Sequence, residues 1–319
     1  MRSILTSFFI LFFLPPLHSW GFYGHQRINQ YAVFLLPPEM MVLFKPRLDY
    51  ITEHAVDPDK RRYVVTAEAP RHYIDMDHYG SAPFDSLPRH WNKAIEKFTE
   101  DSLNAHGIVP WWIQVMLGKL TRAFREKDQA HILQYAAELG HYLADAHVPL
   151  HTSSNHNGQF TDQKGIHGFW ESRIPELLAE KKWNLLAGKA EYISDPLSFT
   201  WKIILQSSAA ADSVLKFEKQ LSLSFPPDQR FAYEYRKGIV LKQYSAAYSS
   251  AYNDKLNGMV ERRMRASIHA VASFWYTAWI NAGQPDLLQL NHNKMTAGEQ
   301  EEIRNMNQRW KLNGSKQEH

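Results

Sequence analysis

Cysteine is absent from all 319 residues. That absence excludes disulfides, thiolate metal sites, a cysteine nucleophile and a lipidated N-terminal cysteine, so any metal must be held by nitrogen and oxygen. Charge of one sign is scarce too: the formal net charge of +3 is too small to attract nucleic acid by electrostatics alone. A membrane-spanning run is also missing. The apolar stretch from Ile4 to Leu14 falls well short of the roughly 20 residues that cross a bilayer. Preceded by Arg2 and followed by Pro15, Pro16 and Leu17-His18-Ser19, it reads as a secretory signal peptide. Residues 1–19 are therefore expected to be removed and the protein exported, to the periplasm or beyond. Ser19 is suitably small for the position before the cut, but Leu17 is bulkier than usual two places earlier, which leaves the cleaved bond open by a residue or two on these grounds.

About 300 residues remain, enough for one large core, and the apolar fraction of 44% is ordinary for a globular chain. No strand series and no internal repeat is evident. After residue 85, apolar residues recur at three- and four-residue spacing near Pro88–Asn104, Val109–Glu126, Gln129–Ala146, His167–Glu180, Pro196–Leu223, Asp228–Ala251 and Lys255–Ala282, which predicts an all-α single domain over 20–290. Gly283 and Pro285 mark the last stop. The polar Thr152–Gly165 segment is expected to be a loop, and Asn291–His319 a polar C-terminal tail.

What stands out is 16 histidines. Leu133, Ala137, His141 and Asp145 succeed one another at four-residue spacing, so an apolar helical stripe turns into an imidazole and a carboxylate on one inward face. A buried carboxylate is costly without a partner, and a metal ion is one of the few that suits it. On its own the pair reads more simply as a core histidine hydrogen-bonded to its helix neighbour. A second pair, His167 and Glu171, repeats the geometry, and His151 follows Pro149 just outside the first helix. Together these five residues offer nitrogen and oxygen ligands within a helix-loop-helix setting. His147 and His156 read as exposed polar residues.

Three further segments, Trp20-Gly21-Phe22-Tyr23-Gly24-His25, Asp57 in His54-Ala55-Val56-Asp57-Pro58-Asp59, and Arg71-His72-Tyr73-Ile74-Asp75, complete the pattern. In order and spacing, the chain resembles the family that groups zinc-dependent phospholipases C with the S1/P1 nucleases. The resemblance runs over about residues 20 to 175 by motif. It implies three zinc ions per chain: one on Asp57, His72, His141 and Asp145; a second on Trp20, His25 and a shared Asp145; a third on His151, His167 and Glu171. Trp20 would chelate through its free amine and carbonyl, which requires cleavage after Ser19. The resemblance further implies a water activated for attack on phosphorus, with Asp57 as the candidate catalytic residue that orients or deprotonates it. Asp59, Asp75 and Asp77 read as capping or supporting residues, Asp75 as an acceptor for a ligand imidazole. One of Lys60, Arg61 and Arg62 is available to steady a phosphate, though a solvated basic turn is the simpler reading.

Two features bear on substrate. Glu171 stands where the fungal and plant nucleases carry Asp, and 15 residues separate His151 from His167, as in the phospholipases. Both tilt the expectation towards a phospholipase C-like phosphodiesterase. The alternatives are a single-strand nuclease or 3′-nucleotidase of the S1/P1 type, acting on nucleic acid rather than phospholipid, and a non-catalytic exported zinc-binding protein. A monomer is expected.

Overall fold

The computed structural model describes residues 21–80, 83–236, 238–292, 301 and 305. The signal peptide, Trp20 and nearly all of the tail lie outside them. The described chain is built from helices: α1 (Gly21–Val33), α2 (Pro38–Phe44), α3 (Leu48–Glu53), α4 (Asp57–Arg61), α5 (Pro83–Ser86), α6 (Trp91–Phe98), α7 (Glu100–His106), α8 (Val109–Glu126), α9 (Gln129–His147), α10 (Ile166–Gly168), α11 (Ile174–Lys182), α12 (Pro196–Ser224), α13 (Ala246–Lys255) and α14 (Met259–Asn281). Tight 3-10 segments join several of them, including Thr66–His72 and Pro149–Thr152. The all-α expectation holds, with one small exception.

Helix α9 is the axis. Every residue from Ala136 to His147 is buried, as expected of a helix enclosed on all sides, and α1, α8, α12 and α14 pack around it. Asp128 caps its start by accepting from His131 N at 3.1 Å, one of the donors a helix N-terminus leaves over. Neighbouring helices satisfy carbonyls along the rest of it. Trp275 Nε1 donates to Ala136 O at 2.9 Å, Ser207 Oγ to Ala146 O at 2.6 Å and Arg263 Nε to His147 O at 2.8 Å. The cation at the C-terminal end also suits the helix dipole.

Helix α1 crosses α9 at Gly140. A Cβ there would stand 2.0 Å from Asn29 Oδ1, while Asn29 Nδ2 donates to Ala137 O at 3.0 Å. Only glycine permits this approach, and one turn earlier on α1 it brings His25 face to face with His141, with ring centroids 3.8 Å apart.

Two stretches depart from the predicted helices. The first, Pro88–Asn104, divides into α6 and α7 at Thr99, whose φ is 65°. The second, Asp228–Ala251, is mostly not helical. It holds an antiparallel hairpin of β1 (Phe231–Arg236) and β2 (Ile239–Tyr244), paired from Phe231 with Tyr244 to Arg236 with Ile239, and only its end joins α13. The reason is local. Aromatic residues alternate at Phe231, Tyr233 and Tyr235, and the second strand opens on the β-branched pair Ile239-Val240, while Gly238, at φ 88°, supplies the positive dihedral a two-residue hairpin connection needs. Arg173 anchors the hairpin by donating to Tyr244 O at 3.0 Å and pairing with Glu234.

Gly140→Ala is expected to force α1 away from α9 and to cost about 1–3 kcal/mol of stability, as overpacking does. Thermal unfolding of the variant beside the parent measures it, and an unchanged transition would mean that the crossing relaxes freely.

Candidate metal centre

Asp145, fully buried near the end of α9, is ringed by four imidazoles. Its Oδ2 lies 2.9 Å from His72 Nδ1 and 3.2 Å from His141 Nε2; its Oδ1 lies 3.4 Å from His25 Nε2 and 3.7 Å from His151 Nε2. Burial would raise its pKa, but His141 and His151 hold the carboxyl well below the ordinary range. Three groups of ligand atoms each fit within the reach of one ion: His25, His141 and Asp145; Asp59, His72 and His141; His151, His167 and Glu171. In the last, Glu171 Oε2 is 3.1 Å from His167 Nε2 and 3.6 Å from His151 Nε2. Burial lowers the affinity of His151 for a proton, yet Asp145 and Glu171 more than offset this and push its pKa up to about 9.

The fold presents these nitrogens deliberately. His141 donates Nδ1–H to Ala55 O at 2.8 Å, His151 to His72 O at 2.6 Å and His167 to His156 O at 3.1 Å. A carbonyl only accepts, so Nδ1 keeps its proton in each ring and Nε2 is the nitrogen turned towards the carboxylates, the one a metal would take in exchange for its proton. That is how metal-ligating imidazoles are oriented. Glu171 reaches the centre from a single wide π turn, Phe169–Arg173, between α10 and α11, a distortion frequent at functional sites.

The donor set fits a divalent metal. Both nitrogens of His25, His151 Nε2, Asp145 Oδ1 and both oxygens of Glu171 are buried without a hydrogen-bond partner among the described residues. Such groups are costly unless something binds them. Imidazole and carboxylate without thiolate suit zinc. A cleft of about 380 Å³ opens over the centre, walled by His72, His151 and His167 together with Arg62, Tyr73 and Asp75.

With this geometry in view, a family model described as S1/P1 Nuclease matches residues 20–267. The chain belongs to the S1/P1 nuclease family. Endonuclease 2 of Arabidopsis thaliana is 21% identical over 240 residues, covering 70% of this chain and 77% of the relative. The protein is thus a phosphodiester hydrolase of the S1/P1 nuclease type. No helix among the described residues is long and apolar enough to cross a membrane.

Against the residues expected of an S1/P1 nuclease, His25, His72, His141, Asp145, His151, His167 and Glu171 come together, and Trp20 lies outside the described residues. Asp57 requires a correction. Its oxygens are taken by His54 Nδ1 at 2.5 Å and Lys60 Nζ at 2.9 Å, and it joins none of the three groups. The carboxylate beside His72 and His141 belongs to Asp59, at 3.9 and 3.8 Å. Asp57 opens α4 with Pro58 in its first turn, and the short helix turns Asp59 inward. Asp57 instead ties down the turn that carries Ala55 O to His141.

Asp75 does not support a ligand imidazole either; it faces His106 Nδ1 at 3.5 Å. The residue behind His72 is Glu68, whose Oε1 lies 3.7 Å from Nε2. Glu68 is fully buried. Burial would raise its pKa, but Arg61 overrides this and holds the carboxyl at about 2. Arg61 also donates to Glu138 at 2.8 Å and to Tyr142 OH at 3.1 Å, so it belongs to a buried network and not to a solvated turn. Of the basic trio only Arg62 lines the cleft. Glu68 was findable in sequence as the residue four before His72, but nothing marked that spacing as a shared face, because the segment is 3-10 and contains Pro70. His147, read as exposed, is buried; burial and then Arg263 lower its pKa to about 3.

The two aspartates should separate by substitution. Asp59→Asn is expected to lower metal content and affinity, whereas Asp57→Asn retains the metal and loses about 1–3 kcal/mol of stability through its stranded partners. Metal analysis after dialysis, alongside thermal unfolding, distinguishes them; the reverse pattern would restore Asp57 as the ligand.

Proposed function

We propose that this protein is an exported zinc-dependent nuclease that hydrolyses phosphodiesters of single-stranded nucleic acid. Its mature chain would begin at Trp20 and hold three zinc ions, on Trp20, His25, Asp59, His72, His141, Asp145, His151, His167 and Glu171. The observation that carries the substrate choice is the cleft over the centre. Among its described lining residues it has one tyrosine, Tyr73, and neither tryptophan nor phenylalanine. A single ring makes a stacking platform for a base; enclosing a quaternary ammonium headgroup takes several. The match to the S1/P1 nuclease family points the same way.

The features that tilted the sequence towards phospholipase C do not oppose this. Aspartate and glutamate both bind zinc, and the loop between His151 and His167 is not itself a specificity element. When bound, zinc supplies Lewis-acid stabilisation of the phosphate charge and lowers the pKa of water towards 7.

The chain's own residues do the rest. Asp145, at the middle of the four imidazoles, would offset the mutual repulsion of bound cations, and the backbone-anchored imidazoles fix the donor geometry before substrate arrives. Arg62, at the cleft wall, is placed to pair with a phosphate oxygen. Tyr73 offers a face to a base. Beside it stands Asp75, whose carboxyl is raised to about 6 by burial and by neighbouring Asp77; ionised at neutral pH, it is placed to accept from a base edge.

Purified mature protein, sequenced at its N-terminus, should start at Trp20, contain about three zinc ions, and cleave single-stranded DNA in preference to phosphatidylcholine when both are assayed side by side. Lipid cleavage with DNA left intact would overturn the nuclease reading.

A further inference from the structure

A second cleft, of about 650 Å³, lies against the far side of the Thr66–His72 segment. Its walls include Trp91, Trp111 and Trp112 together with Arg71, Arg89 and His90, against one carboxylate, Glu100. Trp91 and Trp112 are partly exposed, while Trp111 is buried at 5%. The indole N–H groups of Trp111 and Trp201 both donate to Arg89 O, at 2.8 and 3.2 Å. The backbone from which the exposed Arg89 side chain projects is therefore held in place. Arg71 lies over Trp112, its guanidinium carbon 3.8 Å from the ring centroid, and is held there by its 2.7 Å bond to the buried Glu68, to which Arg61 also donates.

The two clefts share a wall. Ala67 and Arg71 face the tryptophan cleft, whereas Ala69 and His72, from the same seven-residue segment, face the cleft over the metal centre. An extended strand leaving the centre over this ridge meets the tryptophans next. We propose that the tryptophan cleft is a distal subsite for bases of a single-stranded substrate, stacking them on the indoles while Arg89 and His90 pair with the intervening phosphates. The inference rests on the nuclease reading above.

The chemistry selects that occupant. Indole faces among basic side chains are the pattern of sequence-tolerant single-strand binding. A duplex keeps its bases stacked on each other and cannot offer them to a concave aromatic wall. The consequence is a chain-length preference: a substrate long enough to reach both clefts is bound more tightly than a dinucleotide confined to the centre.

The test compares kcat/KM for a long oligothymidylate and for a thymidine dinucleotide, in the zinc-loaded parent and in Arg89→Glu and Trp91→Ala. Arg89 is exposed, so its charge reversal probes the subsite without disturbing the core, and the tryptophan variant probes stacking separately. The parent is expected to favour the long substrate, and each variant to reduce the long-to-short ratio by about fivefold or more, mainly through KM. A ratio unchanged in both variants, with the dinucleotide still cleaved, would overturn the subsite alone. A parent that cleaves neither substrate would overturn the nuclease reading and the subsite with it.

Discussion

A carboxylate buried among imidazoles is the constraint to which the surrounding structure answers. Asp145 has no exposed surface, and neither do His25 and His141. A charge so placed requires close, fixed partners, because the low-dielectric interior penalises any that drift. The partners come from distant parts of the chain: His25 from α1, His72 from a 3-10 segment, His141 from the same face of α9, and His151 from the turn after it. Holding them together is the task of the helical packing, and Gly140 and the capped ends of α9 are where that packing leaves least freedom.

Around this centre sits a second layer of polar order. Backbone carbonyls at Ala55, His72 and His156 set the imidazole tautomers, and Glu68 backs His72. Glu68 in turn is fixed by Arg61, Arg71 and Tyr142. Removing one member of such a network strands the others in a dry interior, so its members are coupled far more tightly than surface ion pairs are. Arg71 has a further position in it: the same guanidinium that bonds Glu68 rests on Trp112, so the polar support of the metal centre extends to the wall of the neighbouring cleft.

Much of this was legible along the chain. The four-residue spacing of His141 with Asp145 and of His167 with Glu171 depends only on helix geometry, and the long amphipathic stretches that became α8, α9, α12 and α14 were strongly periodic. The hairpin was missed because six-residue strands offer few periods to count, and a single Gly238 decides between a continued helix and a turn. Asp57 was preferred to Asp59 because motif order cannot tell which of two aspartates, two residues apart on the short helix α4, will turn inward.

The amino-acid sequence by itself determined the inventory: no thiols, many histidines, an N-terminal export segment as expectation, and helices whose periodicity places ligand types on inward faces. These follow from composition and from interactions between near neighbours. Only the tertiary structure decided which oxygen meets which nitrogen, that Asp57 is spent on His54 and Lys60, that Glu68 stands behind His72, and that two clefts flank one segment. Those outcomes depend on where helices cross and on which buried charges find each other across tens of residues, and local spacing carries no information about either.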